Sequence, residues 1–264
     1  MVERLLCKQD VSGSSPLFSI RYSQMANTNN MFELNPDLDI CVFKGLGPNK
    51  ISAITIDNFY KDPWEVRRLA LSSNEDMKSI NPHYHYGDRG FLPTNEIAKN
   101  FKPLFDQLLQ DEHIWGTNKL KIEQYEDNLS KSGFMWNLNN EDNITKNPLG
   151  IIPHQDTYPS FQMPNQYGVV IYLNTPEECR GGTLLYSYCG RMMIDESIMN
   201  KWEHIDNFDM MRFAIDSSLG LNVEFRLNMW WNRCVIYPSN ILHCPEMERG
   251  WFRDYDRIAQ VLFL

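Results

Sequence analysis

The order of apolar and polar residues predicts a chain made mostly of β-strands. Apolar and β-branched residues dominate 39–43 and 51–56, and 167–174 is a nearly continuous apolar run that suits a strand covered on both faces. Apolar and polar residues alternate from 223 to 229, which predicts a half-buried strand, and the last predicted strand is 258–264. Many short strands in succession predict a jelly roll flanked by helices.

Helices are predicted beside these strands, chiefly in the N-terminal part. Asp62 precedes Pro63, and Glu65 occupies the third helical position, which is the pattern of a capped helix N-terminus. Residues 96–110 and 196–213 carry apolar side chains at helical spacing. The fold class expected is therefore mostly β with flanking helices, a helical N-terminal part preceding the β core.

The composition along the chain predicts three parts. Residues 1–38 are rich in Ser, Asn and Gln and are expected to form a weakly ordered extension. Residues 39–119 form an N-terminal α/β part packed on the core, and residues 120–264 form the core itself. The core opens with an alternating strand that ends at Tyr125.

A polar, asparagine-rich segment from 128 to 147 interrupts the core shortly before His154 and contains Phe134 and Trp136. It is either a surface insertion with a short strand in it or a lid over a site. Because the two aromatic residues need something to cover, we expect a mobile flap.

Candidate chemistry is found in the stretch His154-Gln155-Asp156 and, far downstream, in His243 after the apolar run that begins at Cys234. On a strand, successive side chains alternate faces, so His154 and Asp156 point the same way and Gln155 points the other. Two imidazoles and one carboxylate are the ligands of the 2-His-1-carboxylate triad of Fe(II) oxygenases, which leaves coordination positions open.

Other histidines offer weaker alternatives. His83 and His85 also lie two residues apart, but in a loop-like segment where surface or hydrogen-bonded histidines are more common than metal ligands. His204 lies in the predicted helix 196–213 and is expected to be exposed.

Charge and cysteine usage narrow the class of protein. The 264 residues carry a formal net charge of −9 without a dominant basic patch, which argues against nucleic acid or an anionic membrane as main partner. No signal peptide or apolar run of membrane-spanning length is present, so a soluble cytoplasmic protein is expected. The six cysteines form no CxxC pair and are expected to be reduced: they are Cys7, Cys41, Cys179, Cys189, Cys234 and Cys244.

From Tyr125 onward the chain resembles the Fe(II)/2-oxoglutarate-dependent oxygenases, in particular their prolyl-hydroxylase-like branch. A looser resemblance to oxygenase-like proteins covers residues 57–63 and the helix after them. The matching pieces occur in the family's order: Tyr125, His154-Gln155-Asp156, Tyr172-Leu173-Asn174, Gly181-Gly182-Thr183, Tyr237-Pro238 leading to His243, and Arg257 opening the last strand.

This resemblance implies a double-stranded β-helix, the cupin-like jelly roll, whose open end binds Fe(II) through His154, Asp156 and His243. It further implies that Arg257 pairs with the distal carboxylate of 2-oxoglutarate, because a guanidinium binds a carboxylate bidentately and keeps its charge. Tyr125 and Tyr172 match tyrosines that hydrogen-bond the same carboxylate.

The implied enzyme is a dioxygenase that uses O₂, decarboxylates 2-oxoglutarate to succinate and hydroxylates an amino-acid-like or peptidyl substrate. Two other functions remain open, namely a non-catalytic jelly-roll binding module and a cupin-like metalloenzyme that does not use 2-oxoglutarate. The position of Arg257 favours the dioxygenase, since the cupin-like enzyme needs no buried cation on the last strand.

Overall fold

The computed structural model describes residues 18–22, 31–72, 88–91, 94–116, 135–139, 153–156, 167–195, 198 and 219–264. Its strands are β1 (Phe18–Tyr22), β2 (Leu38–Leu46), β3 (Ile51–Asp57), β4 (Asp88–Phe91), β5 (Met135–Asn139), β6 (Tyr167–Tyr172), β7 (Gly182–Tyr188), β8 (Leu221–Asn228), β9 (Cys234–Pro238), β10 (His243–Glu246) and β11 (Arg257–Phe263). Its helices are α1 (Pro63–Ser72), α2 (Thr94–Leu109) and α3 (Glu112–Trp115).

The strands form two antiparallel sheets. The large sheet has eight strands in the order β1-β2-β3-β9-β6-β11-β5-β4, and the small sheet has three in the order β10-β7-β8. Residues of β2 and β3, from the N-terminal part of the chain, therefore lie in the same sheet as β9 and β6. The expectation of a mostly β fold is confirmed, whereas the jelly roll and the division into three parts stay predictions.

The two faces of the large sheet lie against two different hydrophobic cores, as the residues of β6 show. Val169 and Ile171 lie in a core that the sheet shares with α1 and α2, to which Val66 and Phe105 also belong. Val170 and Tyr172, one residue out of phase, lie in a second core between the two sheets. All six residues of β6 are buried, as the continuous apolar run predicts. Residues of the second core from the small sheet include Leu184, Leu185, Tyr186, Leu221, Phe225, Leu227 and Cys244.

The helix cap predicted at the start of α1 is present in the structure. The Asp62 carboxylate accepts a hydrogen bond from the Glu65 amide at 3.1 Å, which satisfies one of the free N–H groups of the first turn. Val66 and Ala70, four residues apart, form the buried side of the helix.

The turn predicted at Gly181 and Gly182 lies a few residues earlier, at 176–178, and Gly182 already begins β7; the structure shows why both positions are glycine. Gly181 has φ +65°, in the left-handed region that favours glycine. At Gly182, between its two neighbouring strands, a Cβ atom would lie 2.1 Å from the Leu227 carbonyl oxygen. Only glycine lets the backbones approach this closely at the start of β7.

The alternation predicted for 223–229 fails at one residue. Phe225 and Leu227 are buried, but Val223 is 36% exposed. The cause is a register shift against β7, in which Leu185 pairs with Phe225 and Tyr186 pairs with Val223. Such a bulge changes the face to which the preceding residues point.

The flap expectation is wrong for the described part of 128–147. Met135–Asn139 is a strand inside the large sheet, paired with β11 on one side and β4 on the other. A strand with hydrogen-bonded neighbours on both sides belongs to the fixed frame of the sheet. The rest of the segment, including Phe134, lies outside the described residues, as does most of the predicted helix 196–213.

The cysteines differ from expectation at one position. Cys179, Cys189, Cys234 and Cys244 are free thiols, as predicted, but Cys41 on β2 is disulfide-bonded. Its partner lies outside the described residues. Burial, which disfavours the thiolate, raises the pKa of Cys244 to about 12. Within the described ranges, each helix is too short or too polar to span a bilayer.

Candidate functional site

The His154-Gln155-Asp156 stretch has the alternation expected of an extended chain. Gln155 is buried on one side, where its side-chain oxygen accepts a hydrogen bond from the Ile194 amide at 2.6 Å and its nitrogen donates to the Ile194 carbonyl at 3.3 Å. This double contact orients the backbone on both sides of Gln155. The two flanking side chains, His154 and Asp156, therefore share the opposite face.

Backbone pairing brings the distant histidine to this face. His154 and His243 exchange two backbone hydrogen bonds, at 2.9 and 2.8 Å, and form an antiparallel bridge. The amide of Asp156 donates to the Ser239 carbonyl at 2.9 Å, which attaches the stretch to the loop before β10 as well. The stretch thus lies beside β10 at the edge of the small sheet, and the two imidazole rings are 4.7 Å apart between centroids.

The three side chains converge on one point. One ligand atom from each of His154, Asp156 and His243 lies within 4.8 Å of the other two. The Asp156 carboxylate lies 3.2 Å from Nε2 of His243 and 3.8 Å from Nε2 of His154. His243 is buried, whereas the side chain of His154 is 31% exposed, so the cluster opens to solvent on the His154 side.

The ring of His243 is fixed by a second contact. Its Nδ1 lies 2.8 Å from the Ile241 carbonyl oxygen, which can only accept, so Nδ1 carries the proton and Nε2 faces the Asp156 carboxylate. Burial lowers the pKa of His243, but the charge of Asp156 and the two hydrogen bonds raise it by more, and the net shift is upward.

This donor set fits a metal ion. Two neutral imidazole nitrogens and one carboxylate oxygen suit a divalent transition metal, and a backbone carbonyl that orients a ligating imidazole is the usual outer support of such sites. The predicted ligands His154, Asp156 and His243 are thus brought together by the structure.

Arg257, the first residue of β11, is buried, as predicted for a residue held by the last strand. Ala259, two residues further, lies in the core between the sheets, and Ile258 lies in the core on the helix side. Arg257 therefore points to the space between the sheets. Its Nε is buried without a hydrogen bond, and no carboxylate of the described residues pairs with it.

Tyr172 lies beside Arg257 in the same space. The guanidinium carbon of Arg257 is 5.4 Å from the centre of the Tyr172 ring, and the Tyr172 hydroxyl hydrogen-bonds Thr183 Oγ1 at 2.7 Å. Burial raises the pKa of Tyr172, and the nearby charge of Arg257 opposes that rise. Thr183 lies in a motif singled out from the sequence, but its contact with Tyr172 was not predicted.

A second buried arginine was missed. Arg233 is fully buried and binds the Asp57 carboxylate with two nitrogens, at 2.5 and 2.7 Å. Like Arg257, it lies at the start of an apolar strand; it directly precedes β9, whereas Arg257 is the first residue of β11. The sequence gives no sign that its partner is an aspartate 176 residues away.

Several candidates fall outside the described residues. Tyr125, predicted to bind the 2-oxoglutarate carboxylate, is one of them, and so are the alternative histidines His83 and His85 and the helix residue His204. Nothing can be assigned to them from the geometry of the site.

The sequence model of a protein family, described as "Family of unknown function (DUF6445)", matches residues 42–254, well over half of the chain. The comparison with curated proteins found no match. Two solved structures are similar: the crystal structure of a novel N-substituted L-amino acid dioxygenase from Burkholderia ambifaria AMMD, and the same enzyme in complex with alpha-KG. Each is 12% identical with a TM-score of 0.38; the first match covers 80% of this chain and 82% of that one, the second 80% and 81%. Likenesses this distant support no assignment of activity.

Proposed function

The chain belongs to the DUF6445 family, and we propose that it is an Fe(II)- and 2-oxoglutarate-dependent oxygenase. One observation carries the proposal: a cluster of two histidines and one aspartate lies in the same fold as a buried arginine without a carboxylate partner among the described residues. A metal site alone would fit many proteins. The buried charge of Arg257 would be neutralised by a bound anion, which favours a protein whose metal site also binds a carboxylate.

The two features border the same core between the sheets. Tyr237 lies in the core between the sheets, and its ring is 4.8 Å from that of His243. Arg257 and Tyr172 face this same core from β11 and β6. A dicarboxylate bound between the sheets could therefore reach the metal ligands with one end and the guanidinium with the other.

His154, Asp156 and His243 would hold Fe(II), which when bound with 2-oxoglutarate and O₂ would supply the oxidising chemistry that yields succinate, CO₂ and a hydroxylated substrate. Arg257 would neutralise the distal carboxylate through a charge-assisted pair. The Tyr172 hydroxyl would accept a hydrogen bond from Thr183 Oγ1 and donate one to that carboxylate, and Tyr125 is proposed for the same role. The half-exposed His154 marks the side from which substrate would enter.

The two sheets would then be the walls of a double-stranded β-helix that starts near residue 120. In this proposal residues 39–119 contribute β2 and β3 to the large sheet, and their helices α1 and α2 cover the face of that sheet that points away from the site. Residues 1–38 are proposed as an extension.

The substrate class proposed is an amino-acid-like molecule or a short peptide. A small pocket with charged partners suits a free amino acid, whereas a long polypeptide needs an open groove. The excess of negative charge offers no general attraction for nucleic acid or an anionic membrane, neither of which is proposed as a partner.

The test is succinate formation from 2-oxoglutarate by the full chain with Fe(II), measured across free amino acids, proline-containing peptides and nucleosides. We expect stimulation by an amino acid or peptide and none in His154→Ala or Asp156→Ala. Stimulation by nucleosides alone would overturn the substrate class. Substrate oxidation that proceeds equally without 2-oxoglutarate would overturn the dependence on 2-oxoglutarate and favour the cupin-like alternative.

A further inference from the structure

Asn174 contacts the backbone on both sides of Arg257. Its side-chain oxygen accepts a hydrogen bond from the Ile258 amide at 2.7 Å, and its nitrogen donates to the Asp256 carbonyl at 2.9 Å. Asn174 is fully buried. We infer that Asn174 is a positioning residue for Arg257, and that it sets the affinity of the site for the carboxylate of 2-oxoglutarate; this inference rests on the proposed function.

The geometry of the strands explains why such a residue is needed. The pairing between β6 and β11 ends where the Leu173 amide donates to the Ile258 carbonyl at 3.1 Å. At this end of the pairing the Asn174 side chain, rather than the backbone of β6, bonds the Ile258 amide and the Asp256 carbonyl. The backbone of Arg257 is thereby held on the β6 side at the residue where the strand begins.

The orientation of the Asn174 amide is determined by its surroundings. Its nitrogen lies 3.4 Å from the Glu178 carboxylate, and its oxygen faces the Ile258 amide, so a flipped amide would place oxygen against oxygen. Glu178 is itself held by the Thr175 amide at 3.0 Å and by Arg67 at 2.9 Å.

Helix α1 is part of the same network. Arg67 pairs with Glu178 and also donates to the Leu173 carbonyl at 2.8 Å. The turn that carries Asn174 is thus attached to the helix as well as to β11. A shift of this turn would move the start of β11, and a misplacement of roughly 1 Å of a binding group can cost about 10²-fold in activity.

A purely structural role for Asn174 makes a different prediction. Loss of a buried hydrogen-bonding residue would then lower the stability of the whole protein, with equal loss of metal and 2-oxoglutarate binding. A positioning role predicts a change in 2-oxoglutarate affinity alone, because His154, Asp156 and His243 are held by the small sheet and not by Asn174.

The experiment uses Asn174→Asp, which keeps the acceptor for the Ile258 amide but turns the donor facing Glu178 and Asp256 into an acceptor. The full-length variant is titrated anaerobically with Mn(II), then with 2-oxoglutarate, and its KM for 2-oxoglutarate and its kcat are measured. We expect a Kd and KM for 2-oxoglutarate raised about tenfold, with Mn(II) affinity within about twofold of the unmodified chain. The exposed Asn222→Asp on β8 makes the same change in charge and serves as the matched control.

A second variant keeps the inference testable if Asn174→Asp folds poorly. In Asn174→Asp/Glu178→Gln the new amide can donate to the new carboxylate, and part of the lost affinity should return. A folded Asn174→Asp with unchanged 2-oxoglutarate affinity, or no recovery in the double variant, would overturn the inference. If the unmodified chain binds Mn(II) but no 2-oxoglutarate, the proposed function itself fails, and the inference with it.

Discussion

Two arginines lie at the ends of strands in the same sheet, both buried, and their surroundings differ. The guanidinium of Arg233 binds both oxygens of Asp57, donates to the Asn228 carbonyl at 3.3 Å and lies 3.9 Å from the centre of the Trp230 ring. Its charge is neutralised and its donors are used. Arg233 therefore acts as a fixed part of the sheet, tying β9 to the end of β3.

Arg257 has no such partner among the described residues, and its Nε makes no hydrogen bond. A buried charge costs several kcal/mol unless it is paired, and under the proposed function the distal carboxylate of 2-oxoglutarate would be the counterion of Arg257. Arg233 is thus neutralised within the described structure, whereas Arg257 is proposed to pair with the carboxylate of a ligand.

The largest expected effect concerns Arg233. Asp57→Asn removes the partner charge and leaves the guanidinium buried, which should lower the free energy of unfolding by about 3 kcal/mol or more. Urea denaturation followed by tryptophan fluorescence measures this change. Glu33→Gln, which breaks the surface pair with the half-exposed Lys61 at 2.9 Å, is the control and should cost less than about 1 kcal/mol.

Equal losses in Asp57→Asn and Glu33→Gln would contradict the distinction between a satisfied buried pair and a surface pair. A full loss of 2-oxoglutarate binding in a stable Asp57→Asn protein would instead mean that Arg233 belongs to the binding site.

The next effect concerns the metal. Purified under reducing conditions, the unmodified chain should hold about one iron atom, and His154→Ala or Asp156→Ala should lower the affinity by about 100-fold or more, because each removes one of three protein ligands. Atomic absorption measures the iron content of each purified protein. Asp57→Asn is the control, and the folded variant is expected to keep its iron. If both ligand variants kept their full iron content, the iron site would lie elsewhere, and His83 and His85 would be the next candidate ligands.

Arg257→Ala should weaken 2-oxoglutarate binding by at least about tenfold, which corresponds to roughly 1.4 kcal/mol for a lost charge-assisted pair. In contrast to Asp57→Asn, it should not lower the stability of the protein without ligand, since it removes a buried charge that no carboxylate of the described residues neutralises. On one preparation, calorimetry gives the affinity for 2-oxoglutarate and urea denaturation gives the free energy of unfolding. Arg253→Ala, on the exposed loop before β11, is the matched control; loss of binding there, with none in Arg257→Ala, would reverse the assignment.

The smallest effect concerns the hydroxyl that holds Tyr172. Thr183→Val keeps the shape of the side chain and removes its hydrogen bond, which is worth about 1 kcal/mol. If Tyr172 contacts the carboxylate, 2-oxoglutarate affinity should fall by about fivefold. A change in stability without a change in affinity would assign Thr183 and Tyr172 to the core alone.

The parts of the site that depend on local rules could be predicted from the sequence. His154 and Asp156 share a face because strand alternation requires it, and Asp62 caps α1 because its carboxylate reaches the Glu65 amide. Arg257 was singled out through the resemblance to the oxygenases, at the opening of the last strand, and its burial agrees with that position.

The parts of the structure that depend on pairing between distant residues could not be predicted from the sequence. Arg233, like Arg257, lies at the start of an apolar strand, and only the fold shows that Asp57 reaches one and not the other. The bulge that exposes Val223 and the place of Met135–Asn139 inside the large sheet likewise depend on which strands become neighbours.

The most direct test of the account is an anaerobic titration of the metal-free full chain with Fe(II), with and without 2-oxoglutarate, followed by visible absorption. We predict that a weak charge-transfer band appears only when both are present and saturates at about one equivalent of each. It should be absent in Asp156→Ala and require about tenfold more 2-oxoglutarate in Arg257→Ala. Tight Fe(II) binding with no band and no measurable 2-oxoglutarate affinity would contradict the account, because Arg257 would then have no anion to bind.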